Sequence, residues 1–287
     1  MKRKSIMNHL RAGKVLVVPG VYDALSARLA EQVGFEAIFD TGYGTAASLL
    51  GYPDFGMLNA SERVEHARTI AQAVSIPLIV DGDTGYGNAL NVRRLVRDLE
   101  AAGAAGVLLE DQVWPKRCGH MPGKQVISME EHIQKLRAAI EAREGEEFAI
   151  FARTDARAPL GLEEAIRRGR AYREAGADVI FVEAPRSVDE LKAIASAINA
   201  PTMANMLEGG LTPLLSAQEL SELGIQVILF PLSTLYAAAY GVREVLKTLK
   251  AHGTTKPFED RMITFNEFNR VMDLPAFLEL EQRYAVE

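Results

Sequence analysis

Asp81 and Asp83 stand two residues apart in Asp81-Gly82-Asp83-Thr84-Gly85, directly after the apolar run Leu78-Ile79-Val80. On a strand, that spacing turns both carboxylates to the same side. Two carboxylates converging without a cation repel, and one is forced to protonate. A divalent, oxygen-seeking ion relieves this. Mg²⁺ suits a few protein carboxylates, with waters and substrate oxygens completing its shell. A turn-capping role would account for Asp83 beside two glycines on its own. Glu110, in Glu110-Asp111-Gln112 after the next apolar run, adds a third carboxylate and favours metal. No nearby histidine pair supplies the usual ligands of zinc.

A second group lies in Trp114-Pro115-Lys116-Arg117-Cys118-Gly119-His120-Met121-Pro122-Gly123-Lys124. Two prolines and two glycines rule out a regular element, so the stretch reads as a mobile loop. Cys118 sits beside Lys116, Arg117 and His120, whose charges are expected to favour thiolate over thiol. A lone cysteine is more often an inert core residue, but this one lies in no apolar run. Gly42-Tyr43-Gly44-Thr45-Ala46-Ala47 loosely fits a dinucleotide-binding pattern. The acid expected about 20 residues on falls at Glu62, which opens a helical stretch and not a strand end, so the spacing argues against that reading.

Groups this far apart in sequence need a scaffold that gathers them. A phrase recurs: a helix ending in Gly, then a short apolar run. It appears at Val33-Gly34, Ala102-Gly103, Ala175-Gly176 and Leu223-Gly224. Gly past a helix end accepts the left-handed conformation that closes the last turn. A continuous apolar run after it reads as a strand buried on both faces. Eight strands are expected, starting near Val15, Ala37, Leu78, Gly106, Phe148, Val179, Thr202 and Gln226. Helical patterns lie between them, and Thr234–Ala251 follows the eighth. Eight alternations imply an α/β fold of (β/α)8 TIM-barrel type, with chemistry at the strand C-termini. The polar residues collect there: Asp40-Thr41, Asp81, Glu110, Arg153-Thr154-Asp155, Glu183 and Asn205. One barrel domain is expected over 1–287, with 253–287 as a C-terminal helical extension.

Composition narrows the function classes. The 287 residues carry 32 Lys and Arg against 38 Asp and Glu, a net charge of −6. Acidic balance argues against nucleic acid or an anionic membrane as partner. One cysteine excludes an internal disulfide and a cysteine-rich zinc site. No apolar run reaches the ~18 residues of a membrane helix. The basic start Met1–Ser5 reads as a solvated tail and not a signal peptide, because Asn8, His9 and Arg11 interrupt any apolar core. A cytoplasmic enzyme is expected.

Asp81-Gly82-Asp83-Thr84-Gly85-Tyr86-Gly87, Glu110-Asp111-Gln112, Lys116-Arg117-Cys118-Gly119-His120 and Ala152-Arg153-Thr154-Asp155 resemble the isocitrate lyase/phosphoenolpyruvate mutase superfamily. The resemblance runs from about Val18 to the C-terminus. It implies a barrel whose eighth helix is swapped between subunits, in homotetramers built as dimers of helix-swapped dimers. It implies Mg²⁺, with Mn²⁺ as the alternative, at Asp81 and Asp83, with Asp54 and Glu110 holding the ion largely through water. Thr41, Gly42 and Tyr43 match a segment that binds a substrate carboxylate through backbone N–H groups. Arg153 matches an arginine on the substrate's oxygens, and Glu183 and Asn205 match further substrate and metal-site residues. Cys118 matches the lyase general acid on a gating loop whose signature Gly119 and His120 complete; His120 is a further catalytic candidate.

Asn205-Met206-Leu207-Glu208-Gly209-Gly210 and Thr212-Pro213-Leu214 are similar to the branch that holds 2-alkylmalate lyases, oxaloacetate hydrolases, 2,3-dimethylmalate lyase and the plant petal death protein. Methylisocitrate lyases carry a hydroxyl where Leu207 stands and an arginine where Tyr236 falls, and those residues serve a third carboxylate. A buried carboxylate without a cation is expensive, so Leu207 and Tyr236 imply a small dicarboxylate substrate. The expected reaction is lysis of a 2-hydroxy dicarboxylate to a 2-oxo acid and a short carboxylic acid. The alternatives are a methylisocitrate lyase, an oxaloacetate hydrolase or decarboxylase, and a phosphoenolpyruvate or carboxyphosphonoenolpyruvate mutase.

Overall fold

The repeated helix–glycine–strand phrase builds the scaffold. Helix α2 (Ala24–Val33) ends on Gly34 at φ 100° and α5 (Ala89–Ala102) on Gly103 at φ 101°. Only glycine takes that conformation without a Cβ penalty, and each chain then turns straight into an apolar run. A computed structural model of the chain describes residues 5–286; the basic start at 1–4 lies outside the described residues.

In chain order the elements are α1 (Met7–Arg11), β1 (Leu16–Val21), α2, β2 (Ile38–Asp40), α3 (Gly42–Thr45), a π-helical turn (Ala46–Leu50), α4 (Ala60–Ala73), β3 (Leu78–Asp81), α5 and β4 (Gly106–Glu110). There follow α6 (Met129–Ala142), β5 (Ala149–Thr154), α7 (Arg157–Leu160), α8 (Leu162–Glu174), β6 (Val179–Val182), α9 (Val188–Ala197), β7 (Thr202–Asn205), α10 (Ala217–Glu222) and β8 (Val227–Phe230). Each strand starts within one residue of the position expected from sequence. All eight are parallel and close into a barrel, with Leu16 of β1 opposite Val227 of β8. Barrel closure removes the sheet edges that would otherwise be left to pair.

The strands are buried on both faces, which is why they read as unbroken apolar runs. Phe39, Ile79, Leu108, Phe151, Phe181, Met203 and Leu229 fill the interior. Ile6, Met7 and Leu10 join the same cluster, so α1 plugs the interior alongside strand-start residues such as Leu16 and Val227. Outside, Val80, Val107 and Ile150 pack on the helix faces of Ile70, Leu95 and Leu136. Caps fix the helix starts: Asn59 and Asn88 each form a reciprocal capping box with the residue three positions on.

The chain divides at Thr234/Leu235 into two units. The second is helical. It holds most of α11 (Ser233–His252), a 3₁₀ turn (Lys256–Arg261), α12 (Phe265–Val271) and α13 (Leu274–Tyr284). Thr264 caps α12 through Glu267. No helix among the described residues is long and apolar enough to cross a membrane.

Candidate active site

The strand ends deliver the polar groups. Asp40, Asp81, Glu110 and Asn205 are the last residues of β2, β3, β4 and β7; Arg153 and Thr154 close β5, and Asp155 and Glu183 follow β5 and β6. All are buried. Parallel register sets Glu110 opposite Arg153. One cavity of about 50 Å³ collects most of the expected residues: Thr41, Tyr43, Asp54, Asp81, Cys118, Gly119, His120, Arg153, Glu183, Asn205 and Leu207. Asp83 and Glu110 do not line it but touch residues that do, Lys116 and Arg153. Gly42 meets Asp81 through its backbone. Tyr236 belongs to the second unit.

The carboxylates converge by a route different from the expected one. β3 ends at Asp81, and Asp83 lies past it in the left-handed region at φ 48°. The two acids are therefore not alternate residues of one strand. They meet because the turn folds back, with the Asp83 N–H donating to Asp81 Oδ1 at 3.1 Å. Tyr86 O–H donates to Asp83 Oδ2 at 3.0 Å. The Gly42 N–H, expected to receive a substrate carboxylate, donates to Asp81 Oδ2 at 3.2 Å. Lys116 Nζ stands 2.5 Å from Asp54 Oδ1 and 2.7 Å from Asp83 Oδ1.

The cluster is short of positive charge. Burial and the neighbouring Asp83 push the Asp81 carboxyl above its usual range. Burial lifts Glu110 well above the carboxylate range, and Arg153 offsets only part of that. Asp83 is desolvated too, yet Lys116 and Arg63 hold it low. Buried oxygens without a hydrogen-bond partner include Glu110 Oε1, both Glu183 carboxylate oxygens and Asn205 Oδ1. Such orphan acceptors around crowded acids fit a divalent cation. The donors are all oxygen, which suits Mg²⁺ and not zinc. Among the described residues no three His, Cys, Asp or Glu side chains enclose a point by themselves. An ion here would keep water or substrate oxygens in its shell.

Arg63 was missed from sequence. It is fully buried, with Nη1 donating to Asp40 Oδ1 at 3.1 Å and Thr45 Oγ1 at 3.0 Å. Its charge also reaches Asp81 and Asp83. A signal existed: Arg63 shares a helix stripe with Ala67 and Ile70, the buried face of α4.

The loop after β4 lies down on these groups. Gln112 clips it, its amide donating to the Arg117 carbonyl at 2.8 Å and accepting the Arg117 N–H at 3.0 Å. The expectation that Lys116, Arg117 and His120 make a thiolate fails. Lys116 is committed to Asp54 and Asp83, and Arg117 Nη1 to the Pro122 carbonyl. Burial, reinforced by Asp54 and Glu183, pushes the Cys118 thiol up to about 11. The sulfur therefore carries its proton. His120 has a fixed tautomer: Nδ1 accepts the Leu211 N–H at 2.9 Å, leaving the proton on Nε2. Nε2 faces Glu183 Oε1 at 3.1 Å, without hydrogen-bond alignment.

Arg153 Nε reaches Asp155 Oδ2 at 2.9 Å, and the guanidinium lies over the Phe181 ring at 5.4 Å. Gly119 presses against these groups. A Cβ there would lie 2.1 Å from Glu183 Oε1 and 2.4 Å from Arg153 Nη2. Gly119→Ala should therefore hold the loop off the strand ends and cut kcat by about tenfold or more, from an overpacking cost of order 1–3 kcal/mol. Circular dichroism should remain that of the native barrel. Native turnover in this variant would show that the close approach is not needed.

The model of the family described as phosphoenolpyruvate phosphomutase matches residues 7–250. The chain is 52% identical to the chloroplastic carboxyvinyl-carboxyphosphonate phosphorylmutase of Arabidopsis thaliana, over 94% of this chain and 81% of that protein. It is 50% identical to the petal death protein of Dianthus caryophyllus (98% and 89%) and 46% identical to 2,3-dimethylmalate lyase of Eubacterium barkeri (96% of each). Among solved structures, oxaloacetate acetylhydrolase with 3,3-difluorooxalacetate superposes with a TM-score of 0.91 at 38% identity, covering 96% and 95%. Phosphonopyruvate hydrolase in complex with oxalate and Mg²⁺ gives 0.89 at 32% identity, covering 97% of each chain.

Proposed function

The chain belongs to the phosphoenolpyruvate phosphomutase family, within the isocitrate lyase/phosphoenolpyruvate mutase superfamily, and from that premise we propose a Mg²⁺-dependent carbon–carbon lyase acting on a 2-hydroxy dicarboxylate of the 2,3-dimethylmalate type. The observation that carries this reading is the placement of Cys118 in one cavity with Arg153 and Asp81, where burial holds its thiol high. Named lyases among the relatives support it.

Asp81 and Asp83 would hold the metal, with Asp54 and Glu110 acting through water. Bound there, Mg²⁺ lowers the pKa of the substrate hydroxyl and offsets the charge that develops on its oxygen. Arg153 contributes fixed positive charge, anchored by Asp155 so that it needs no reorganisation during reaction. As the C2 hydroxyl passes its proton to a carboxylate of the acid cluster, the C2–C3 bond breaks, leaving a 2-oxo acid and the enediolate of the second carboxylate. Cys118 gives its proton to C3. The closed loop keeps water from that carbanion. From 2,3-dimethylmalate the products are pyruvate and propionate.

Substrate size follows from the wall. Leu207, Pro231 and Leu232 line the cavity with apolar atoms. A third carboxylate against them would lie uncompensated. In competition, kcat/KM for 2,3-dimethylmalate should exceed that for 2-methylisocitrate by about tenfold or more, the scale of one unpaired buried charge. The reverse ranking would overturn the substrate and leave the lyase chemistry standing. The identity to a phosphorylmutase favours a second reading, phosphorus–carbon bond chemistry. Indifference of that chemistry to loss of Cys118 would identify it.

The second unit supports an assembly of copies. Tyr240, Leu246, Phe265 and Phe277 are exposed there, more apolar surface than a lone helical segment usually shows. A homotetramer of helix-exchanged dimers would cover them.

A further inference from the structure

Lys124 sits six residues beyond Cys118, and its side chain is almost wholly enclosed, at 1% exposure. Its Nζ donates to the Gly119 carbonyl and to Asp155 Oδ1, the latter at 2.7 Å. Asp155 is itself fixed from two sides. It accepts Arg153 Nε at 2.9 Å and Nη2 at 3.1 Å, and its N–H donates to Asp111 Oδ1 at 2.8 Å. Asp111 in turn accepts the Tyr172 hydroxyl at 2.7 Å and Arg168 Nη1 at 2.9 Å. One ammonium thus joins the backbone of the loop to the carboxylate that orients the substrate-facing arginine.

Desolvating an ammonium costs several kcal/mol unless its donors find acceptors. Lys124 finds two, and one of them, the Gly119 carbonyl, belongs to the loop itself. On its other flank Gly119 has no spare room against Glu183 and Arg153. The strut and the close contact together set how deep the loop can settle.

We propose that Lys124 is a positioning residue: it pins the Gly119 carbonyl to Asp155, seating Cys118 over the strand ends and Arg153 beneath it in one motion. The proposal rests on the lyase reading for its meaning, but not for its test. It names a group that touches no substrate and acts through Gly119 and Asp155.

Cys118 is the only cysteine in the chain, so alkylation by iodoacetamide reports loop opening without any substrate. Lys124→Met removes the charge and keeps the length. Alkylation of Cys118 should speed by about tenfold or more, the worth of hydrogen bonds to a charged group. Tryptic cleavage after Arg117 should accelerate in parallel. If the lyase reading holds, kcat falls by a similar factor with little change in KM. Where thermal melting shows Lys124→Met unfolded, Lys124→Gln takes its place, and the same acceleration is expected. Alkylation and cleavage rates within twofold of native in a folded variant overturn the proposal. Failure of the lyase reading would instead show as no turnover in the native enzyme, with the alkylation result unaffected.

Discussion

Cys118→Ser loses turnover by about 10²-fold or more, the scale of general acid catalysis, while Mg²⁺ binding measured by calorimetry is unchanged. A serine hydroxyl is a far weaker acid than a thiol, so the enediolate would wait for water that the loop excludes. The pH profile adds a sharper constraint. The required form is the protonated thiol, and burial raises its pKa to about 11. Activity therefore persists through pH 9 and falls only as pH rises through about 11. A thiolate held by Lys116, Arg117 and His120 would instead impose a loss at far lower pH. An alkaline limb that persists unchanged in Cys118→Ser, or native turnover in that variant, removes Cys118 as the acid.

Asp81→Asn is the second large effect. It keeps the shape and deletes one charge from the group that would hold the metal. The lost charge stabilisation is of order several kcal/mol, so kcat should fall about 10³-fold and calorimetric Mg²⁺ affinity should weaken with it. Stability should not fall in step. Asp81 is desolvated and repelled by Asp83, and its carboxyl is raised for those reasons. At neutral pH its charge costs stability, which offsets the buried N–H of Gly42 or Asp83 that the amide leaves without an acceptor, so the variant should melt close to native. A variant that keeps turnover within tenfold would place the metal elsewhere. One that melts well below native would show that Asp81 is chiefly structural.

The barrel was legible because its strands are short, apolar and punctuated by helix-ending glycines, and each began within a residue of expectation. What escaped were pieces too short to show a period. Helix α1 has five residues, yet Met7 and Leu10 plug the barrel interior. Helix α3 (Gly42–Thr45) and the π-helical Ala46–Leu50 fall in a glycine-rich stretch whose pattern was weighed only for dinucleotide binding.

At the site, residue identity was readable and direction was not. Asp83 was placed on a strand, but its left-handed backbone takes it off the strand and still returns it to Asp81. Lys116 was read as a neighbour of Cys118, since sequence shows proximity along the chain. The fold spends its charge on Asp54 and Asp83 instead. Asp155 and Lys124 were visible as a strand end and a loop end. Their pairing spans 31 residues and needs the closed barrel to be seen.

The most direct test is pyruvate release from purified enzyme and 2,3-dimethylmalate, with Mg²⁺ and then with EDTA. Release that needs Mg²⁺, stops in EDTA and returns with excess Mg²⁺ is the predicted result. Release undiminished by EDTA, or no 2-oxo acid from any 2-hydroxy dicarboxylate in the presence of Mg²⁺, would contradict it.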